Sequence, residues 1–333
     1  MNLFRQFFGG GVQCSLIAVI EDINGGTLRD LQFSADSKLL AAAGSGGLRL
    51  WDLKDGTTKA VVGGKGFGDT SIAFSPDGGT LLVGHWKGSI SICDTQTFTV
   101  ERTIAAHDLP VNTLAFSTDS TLFASGSHET DRNWRKAFPS DTRVRLWDAK
   151  TCNLLRELNG HTKGVRQVRF SPDGSLLASS SDDGLVILWD VKTGRIVEQL
   201  PNQSCAVRSI GFATGVLMSA SSSIYLSDVR GGTAMREVSI PVPRKGLLAS
   251  AALSSDGKFL LDAFTSGGLL SRICVEIRDT STGAKRWSNT GTTLAGANPC
   301  AFAPNGTFFA APFDLIQGGG VIISVGVWRI DQT

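Results

Sequence analysis

Apolar and polar residues alternate along this chain in short runs that end near a phenylalanine, turn on a Ser/Ala-x-Asp/Asn-x tetrapeptide, and later close on an aspartate at the end of another run. The pattern recurs seven times. Its most complete copy spans Gly160 to Leu200: Gly160-His161, Val165 to Phe170, the turn Ser171-Pro172-Asp173-Gly174, Leu176 to Ser181, Leu185 to Trp189-Asp190, and Arg195 to Leu200. Period-two alternation between turn formers predicts four short strands. A repeat of this length outranks any single-residue clue, because one unit cannot bury its own faces and must stack on neighbours.

The closing positions are Trp51-Asp52, Cys93-Asp94, Trp147-Asp148, Trp189-Asp190, Ser227-Asp228, Arg278-Asp279 and Trp328. From Trp51 to Cys93 and from Trp147 to Trp189 the interval is 42 residues, whereas from Cys93 to Trp147 it is 54, which requires an insertion. These residues resemble the WD-repeat family, and the resemblance covers about Val12 to Ile330. It implies an all-β fold: a seven-bladed β-propeller of four-stranded antiparallel blades around a central channel.

After Trp328 the last repeat supplies three strands, and Val12 to Ile20 precedes Phe33 by about the distance that Ile196 to Leu200 precedes Phe212. Val12 to Ile20 is therefore expected to complete the last blade and close the ring, removing an exposed edge. As a membrane or secretion segment it is too short and is broken by Gln13 and Ser15. The expected organisation is a stub at residues 1–11, with Leu3, Phe4, Phe7 and Phe8 at helical spacing, followed by one propeller over residues 12–333.

Composition narrows the function. The chain has 39 Gly, 10 Pro, one Tyr and 19% charged residues, which suits many tight turns between buried strands. Six cysteines at positions 14, 93, 152, 205, 274 and 300 are dispersed without a Cys-x-x-Cys pair, so reduced, mostly buried thiols of a cytoplasmic or nuclear protein are expected. A net charge of +2 carries no nucleic-acid footprint. No cofactor, no metal and no membrane span are expected.

The resemblance implies that each complete repeat holds a hydrogen-bonded set of His, Ser, Asp and Trp. Two repeats carry it, as His107, Ser125, Asp141 and Trp147, and as His161, Ser179, Asp183 and Trp189; the first requires Ser127 to Ser140 to loop out. A Ser, a His and an Asp together also describe a catalytic triad. That reading fails because the serine belongs on a buried strand and the motif occurs twice as scaffold. Elsewhere the histidine position holds Asn24, Lys65, Gln203, Arg244 or Thr293, and the turn aspartate is replaced by Ser45, Lys87, Ser221 or Arg272, so these blades are expected to lean on apolar packing.

Partner-binding residues are expected on one face. Three loops there look enlarged: His128 to Ser140, with Trp134 and Phe138; Ser266 to Arg272; and Asp314 to Gly320, whose glycines precede neither a lysine nor a helix and so form no phosphate loop. Four residues before the Phe, or Leu253 in the sixth repeat, that ends each innermost strand, the resemblance puts a side chain at the channel mouth: Arg29, Thr70, Asn112, Arg166, Arg208, Ala249 and Asn298, with Trp86 and Asp182 nearby. Three arginines and a tryptophan point to an acidic or phosphorylated peptide, since guanidinium pairs bidentately with carboxylate and phosphate. Pairing of these arginines with Asp30, Asp69 and Asp182 is the alternative.

The expected function is a non-catalytic protein–protein interaction scaffold, a monomeric propeller within a larger assembly. A second possibility is the sensor or substrate-receptor subunit of a signalling or ubiquitin-ligase complex, for which Ser227-Asp228-Val229-Arg230 is a defective adaptor motif. A propeller hydrolase or oxidoreductase ranks last, since only His85 and His128 are free of the scaffold.

Overall fold

The turn tetrapeptide is the local device on which each repeat is built. The computed structural model describes residues 13–20, 28–62, 68–128, 141–200, 206–213, 215–229, 240–241, 246–266, 272–292, 299–317 and 320–331. In five repeats the turn serine Oγ donates to the aspartate two residues on (Ser34 to Asp36, Ser75 to Asp77, Ser117 to Asp119, Ser171 to Asp173, Ser254 to Asp256) at 2.5–2.7 Å. The same Oγ accepts the backbone N–H five residues on at 2.9 Å, which starts the second strand in register with the first. The aspartate ending the third strand acts similarly: Asp52, Asp94, Asp148, Asp190 and Asp279 accept N–H groups of the following turn at 2.6–3.0 Å. Such local side-chain bonds favour turns over continued strand.

Seven four-stranded antiparallel sheets result, the blades of a β-propeller, and no helix occurs among the described residues. Blades one to six take residues 28–62, 69–105, 111–158, 165–200, 209–241 and 246–292. Blade seven takes residues 301–331 and, as its outermost strand, Gln13–Ile20, which pairs with Gly320–Asp331 from Gln13↔Asp331 to Ile20↔Val325. Ser15 Oγ adds a bond to Asp331 Oδ2 at 2.6 Å. The ring is closed as the sequence predicts.

Apolar side chains fill the spaces between blades. Leu28, Leu31 and Phe33 of blade one pack on Val325 and Val327 of blade seven. Val165, Val168 and Ile187 of blade four pack on Ala124, Val144 and Leu146 of blade three. The five described cysteines are free; burial pushes the thiols of Cys14 and Cys300 up to about 12 and that of Cys93 to about 11, so they stay protonated. Cys205 lies outside the described residues, as do the 1–11 stub and the positions of Asn24, Lys65, Gln203, Arg244 and Thr293.

Along the channel, the residue three before the end of each innermost strand reaches the innermost strand of the next blade. Asp30 Oδ2 accepts from Ile72 N (2.9 Å), Ser71 Oγ donates to Val111 O (2.7 Å), and Thr113 Oγ1 accepts from Val168 N (3.0 Å). Gln167 Oε1 accepts from Ile210 N (2.9 Å), Ser209 Oγ from Ala251 N (3.2 Å) and Ser250 Oγ from Cys300 N (3.3 Å). Every joint from blade one to blade seven carries one such bond. They satisfy backbone groups on the free edge of each sheet, which would otherwise lack protein partners.

Three expectations need correction. Asp314 to Gly320 is not an enlarged loop: Asp314, Leu315, Ile316 and Gln317 pair with Ile323, Ile322, Val321 and Gly320 as a long hairpin, because the β-branched run after the glycines continues the ladder. Likewise Ser266 and Arg272, read as loop residues, pair with each other and belong to strands. Nor do the incomplete blades rely on apolar packing alone. Blade two builds a polar set from new positions, with His85 Nδ1 2.8 Å from Asp69 Oδ1 and Nε2 2.7 Å from Ser91 Oγ. Blade six buries Asp262 beside Arg278 (3.4 Å), with Glu276 next to both.

Burial pushes Asp262 from an ordinary 3.8 up to about 7 against the pull of Arg278, and its Oδ1 has no partner among the described residues. Between those two values the folded chain keeps a proton that the unfolded chain releases, so this residue's contribution to stability falls as pH rises from about 4 to about 7 and is then level. Asp262→Asn removes the titration. Urea melts are expected to show the variant gaining on the parent between pH 4.5 and pH 8, by a difference on the order of 2–4 kcal/mol.

Candidate functional site

Between the first and second strands, the pairing skips one residue in each of five blades, and the residue skipped is Arg29, Thr70, Asn112, Arg166 or Ala249. These are the channel-mouth positions of the sequence analysis, one residue before the inter-blade bond just described. A β-bulge leaves its extra residue unpaired and re-aims the side chain. The next residue is tied to the neighbouring blade, so the bulge sits on a fixed support. Arg208 occupies the same place in blade five, where its N–H donates to Ala220 O at 2.8 Å and its side chain is exposed. Asn298, Trp134 and Phe138 lie outside the described residues.

The rim side chains divide into committed and available groups. Thr70 is buried, its Oγ1 donating toward Val111 O (2.6 Å) and Gly84 O (3.0 Å). Asn112 Nδ2 donates to Arg166 O at 3.0 Å and links blades three and four. Arg166 Nε donates to Asp182 Oδ1 at 2.5 Å, and Asp182 Oδ2 lies 2.5 Å from His128 Nε2. Burial raises the Asp182 carboxyl, but the bonds from His128 and Arg166 outweigh it and hold the group well below the usual carboxylate range. Arg166 is thus neutralised, which is the alternative that the sequence left open. His128, read from the sequence as unassigned, is buried in this network.

Arg29 is placed differently. Its guanidinium carbon stands 4.8 Å from the centroid of the Trp86 ring, on the next blade, and its Nε is buried with no acceptor among the described residues. Burial lowers its pKa. Asp30, the nearest acid in sequence, accepts from Ile72 N and Leu31 N instead, and its charge is opposed by Arg169 of blade four. Asp69 is taken by His85. Trp86 is held by its own N–H to Gly68 O (3.4 Å), and Gly68, at φ +78°, lies where a Cβ would fall 2.7 Å from Ser45 Cα of blade one. That close approach brings Trp86 beside Arg29.

The two polar sets under this face are complete. His107 Nδ1 is 2.8 Å from Asp141 Oδ2 and Nε2 2.8 Å from Ser125 Oγ, to which Trp147 Nε1 donates at 2.9 Å. In blade four, His161 meets Asp183 (3.0 Å) and Ser179 (2.8 Å), and Trp189 Nε1 donates to Ser179 Oγ at 2.8 Å. Both serines and both imidazoles are buried, with each serine capped by an indole. This geometry serves folding rather than nucleophilic attack. Among the described residues no group of three or more His, Cys, Asp and Glu is placed to hold a metal, and no helix is long and apolar enough to cross a membrane.

Comparison with known proteins adds to this geometry. The model of the WD domain, G-beta repeat, matches residues 16–52, 98–148 and 152–190. The WD repeat-containing protein SL1-17 of Schistosoma mansoni is 33% identical over 162 residues, 49% of this chain and 46% of that protein. Nuclear distribution protein PAC1 of Arthroderma benhamiae is 32% identical over 150 residues, 44% of this chain and 32% of the relative. Polyadenylation factor subunit 2 of Candida albicans is 26% identical over 117 residues, 35% and 19% of the two chains. Each match spans less than half the length of the relative.

The division of the rim predicts unequal sensitivity. Asp182→Ala strands the Arg166 and His128 donors and is expected to destabilise the protein by about 1–3 kcal/mol, whereas Arg208→Ala at an exposed site stays within about 0.5 kcal/mol. Thermal denaturation of the two variants checks the contrast.

Proposed function

Because this chain is a WD-repeat β-propeller, we propose that it is a non-catalytic interaction scaffold whose rim, centred on Arg29 and Trp86, captures an acidic or phosphorylated peptide or loop of a partner protein. The observation that carries the reading is the state of Arg29. A guanidinium stacked on an indole, with a buried N–H that has no acceptor among the described residues, is a cation whose solvation is incomplete. A carboxylate or phosphate of a partner supplies a counter-charge to this half-buried guanidinium. Tryptophan and arginine are also the residue types over-represented at binding hot spots.

Arg208, exposed on blade five, adds positive charge to the same mouth, and Asn112 is half-buried between them. Arg166 and Asp182 contribute shape and a fixed hydrogen-bonded wall rather than free charge. Trp134, on the insertion of blade three, belongs to the same proposed surface. Among the similar proteins, one is a polyadenylation factor subunit, which fits a scaffold role for this chain.

The test is affinity for a partner recovered by co-purification from native extract. Arg29→Glu and Trp86→Ala are each expected to weaken binding by at least about tenfold in a calorimetric titration, and Arg208→Glu by less, with most of its effect on the association rate. Full affinity in both the Arg29 and the Trp86 variants would remove this surface from consideration.

A further inference from the structure

Among the described residues, large apolar side chains that remain exposed are not scattered. They are Val100, Leu154, Leu155, Ile196 and Val197, at 41–56% exposure, all on the outermost strands of blades two, three and four. Leu155 and Val197 are also bulge residues: the pairing of the third and fourth strands skips them in blades three and four. The residues skipped at the same point in blades one, two and six are Lys59, Glu101 and Arg286. A bulge pushes its side chain outward from the ladder. On blades one, two and six that side chain is charged; on blade seven it is Ile17, which packs against the core between blades one and seven, and on blades three and four it is aliphatic and exposed.

A cleft opens beside these residues. A cavity of about 590 Å³ lies between blades three and four, with Leu122, Leu146 and Val191 on its walls and Leu155, Arg156 and Lys192 among its lining. Arg156 spans it, donating from Nη2 to Lys192 O at 2.7 Å. The patch therefore contains a hollow with aliphatic walls and a polar border that includes Arg156, Asp190 and Lys192 and, one strand away, the projecting pair Ile196 and Val197. Charges of both signs surround it: exposed Arg156, Lys192 and Arg195 against exposed Glu157 and half-buried Glu198.

A surface that carries its own knob, its own hole and both signs of charge is complementary to itself, which is the requirement of a two-fold interface. A contiguous exposed apolar patch with a charged border also marks an association surface. We propose that the outer face of blades three and four is the contact surface for a second copy of this chain, in a two-fold dimer in which Val197 of each copy enters the cleft of the other. The bulges turn the free strand edges away from ladder formation, so the contact is made by side chains and leaves the channel mouth open. It stands independently of the rim reading above, because it uses the circumference alone.

Sedimentation velocity of the full chain, from about 1 to about 100 µM, tests it. A concentration-dependent dimer is expected, and Leu155→Asp and Val197→Asp are each expected to raise its dissociation constant by at least about tenfold. Lys59→Asp, at the equivalent point of blade one, is expected to leave it unchanged. Both aliphatic positions are about half exposed, so the monomer tolerates the charge; circular dichroism melts of the variants confirm that the fold is retained. A monomer throughout the range, or a dimer indifferent to both substitutions, overturns the proposal. Partner affinity at the rim, measured on Leu155→Asp, separates this outcome from failure of the rim reading.

Discussion

The constraint on which the structure depends is the fate of the innermost strand's free edge. In every blade that strand has a sheet neighbour on one side only, and its remaining amide groups face the next blade across the channel wall. A recurring side chain from the preceding blade, one residue after the rim position, meets that edge: Asp30, Ser71, Thr113, Gln167, Ser209 and Ser250 in turn, joined at some blades by Gln32, Thr70 or Asn112. Apolar burial between blades supplies the driving force but is indifferent to small sliding motions. Directional bonds at each joint fix the stagger of one blade on the next. The seventh joint combines apolar packing between blades one and seven with a bond from Asn305 N to Ser37 Oγ at 3.3 Å, and the N-terminal strand completes blade seven.

This seam gives the proposed rim a fixed support. The residue before each seam side chain is the bulged one, so Arg29 is followed by Asp30, Arg166 by Gln167 and Arg208 by Ser209. A bulge on an unsupported strand would let its side chain wander. Here the following residue is tied down, and the side chain is presented from a rigid base, which lowers the entropy lost when a partner binds. The difference between Arg166 and Arg29 then follows from neighbours alone. Blade four offers Asp182 and the preceding blade offers His128, whereas the acids near Arg29 are already engaged by backbone N–H groups and by His85.

Much of this was legible from residue types at fixed spacing. His107, Ser125, Asp141 and Trp147 are distinctive enough that their hydrogen bonds followed once the insertion was placed, and the rim positions followed from counting back four residues from the Phe, or Leu253 in the sixth repeat, that ends each innermost strand. The closing strand was legible because an odd strand at one end matched a missing strand at the other. Pairings across blades were not. His128 and Asp182 lie 54 residues apart, and nothing local marks them as partners. Asp69 and His85 meet because the pairing of two strands puts them opposite each other, a register that alternation alone does not specify. The long hairpin of blade seven was misread because glycines at 318–320 look like a loop, although the strands continue to its tip. The seam itself has no sequence signature, since Asp, Ser, Thr and Gln all perform it.

The most direct measurement of the account is native-state hydrogen exchange at the seam amides of Ile72, Val168, Ile210, Ala251 and Cys300. The account predicts that these exchange only through global unfolding, with the same free energy as the amide of Leu188 in the middle of blade four. Fast exchange at the seam, with in-blade amides still protected, would contradict it, because the blades would then be held together by apolar contact alone.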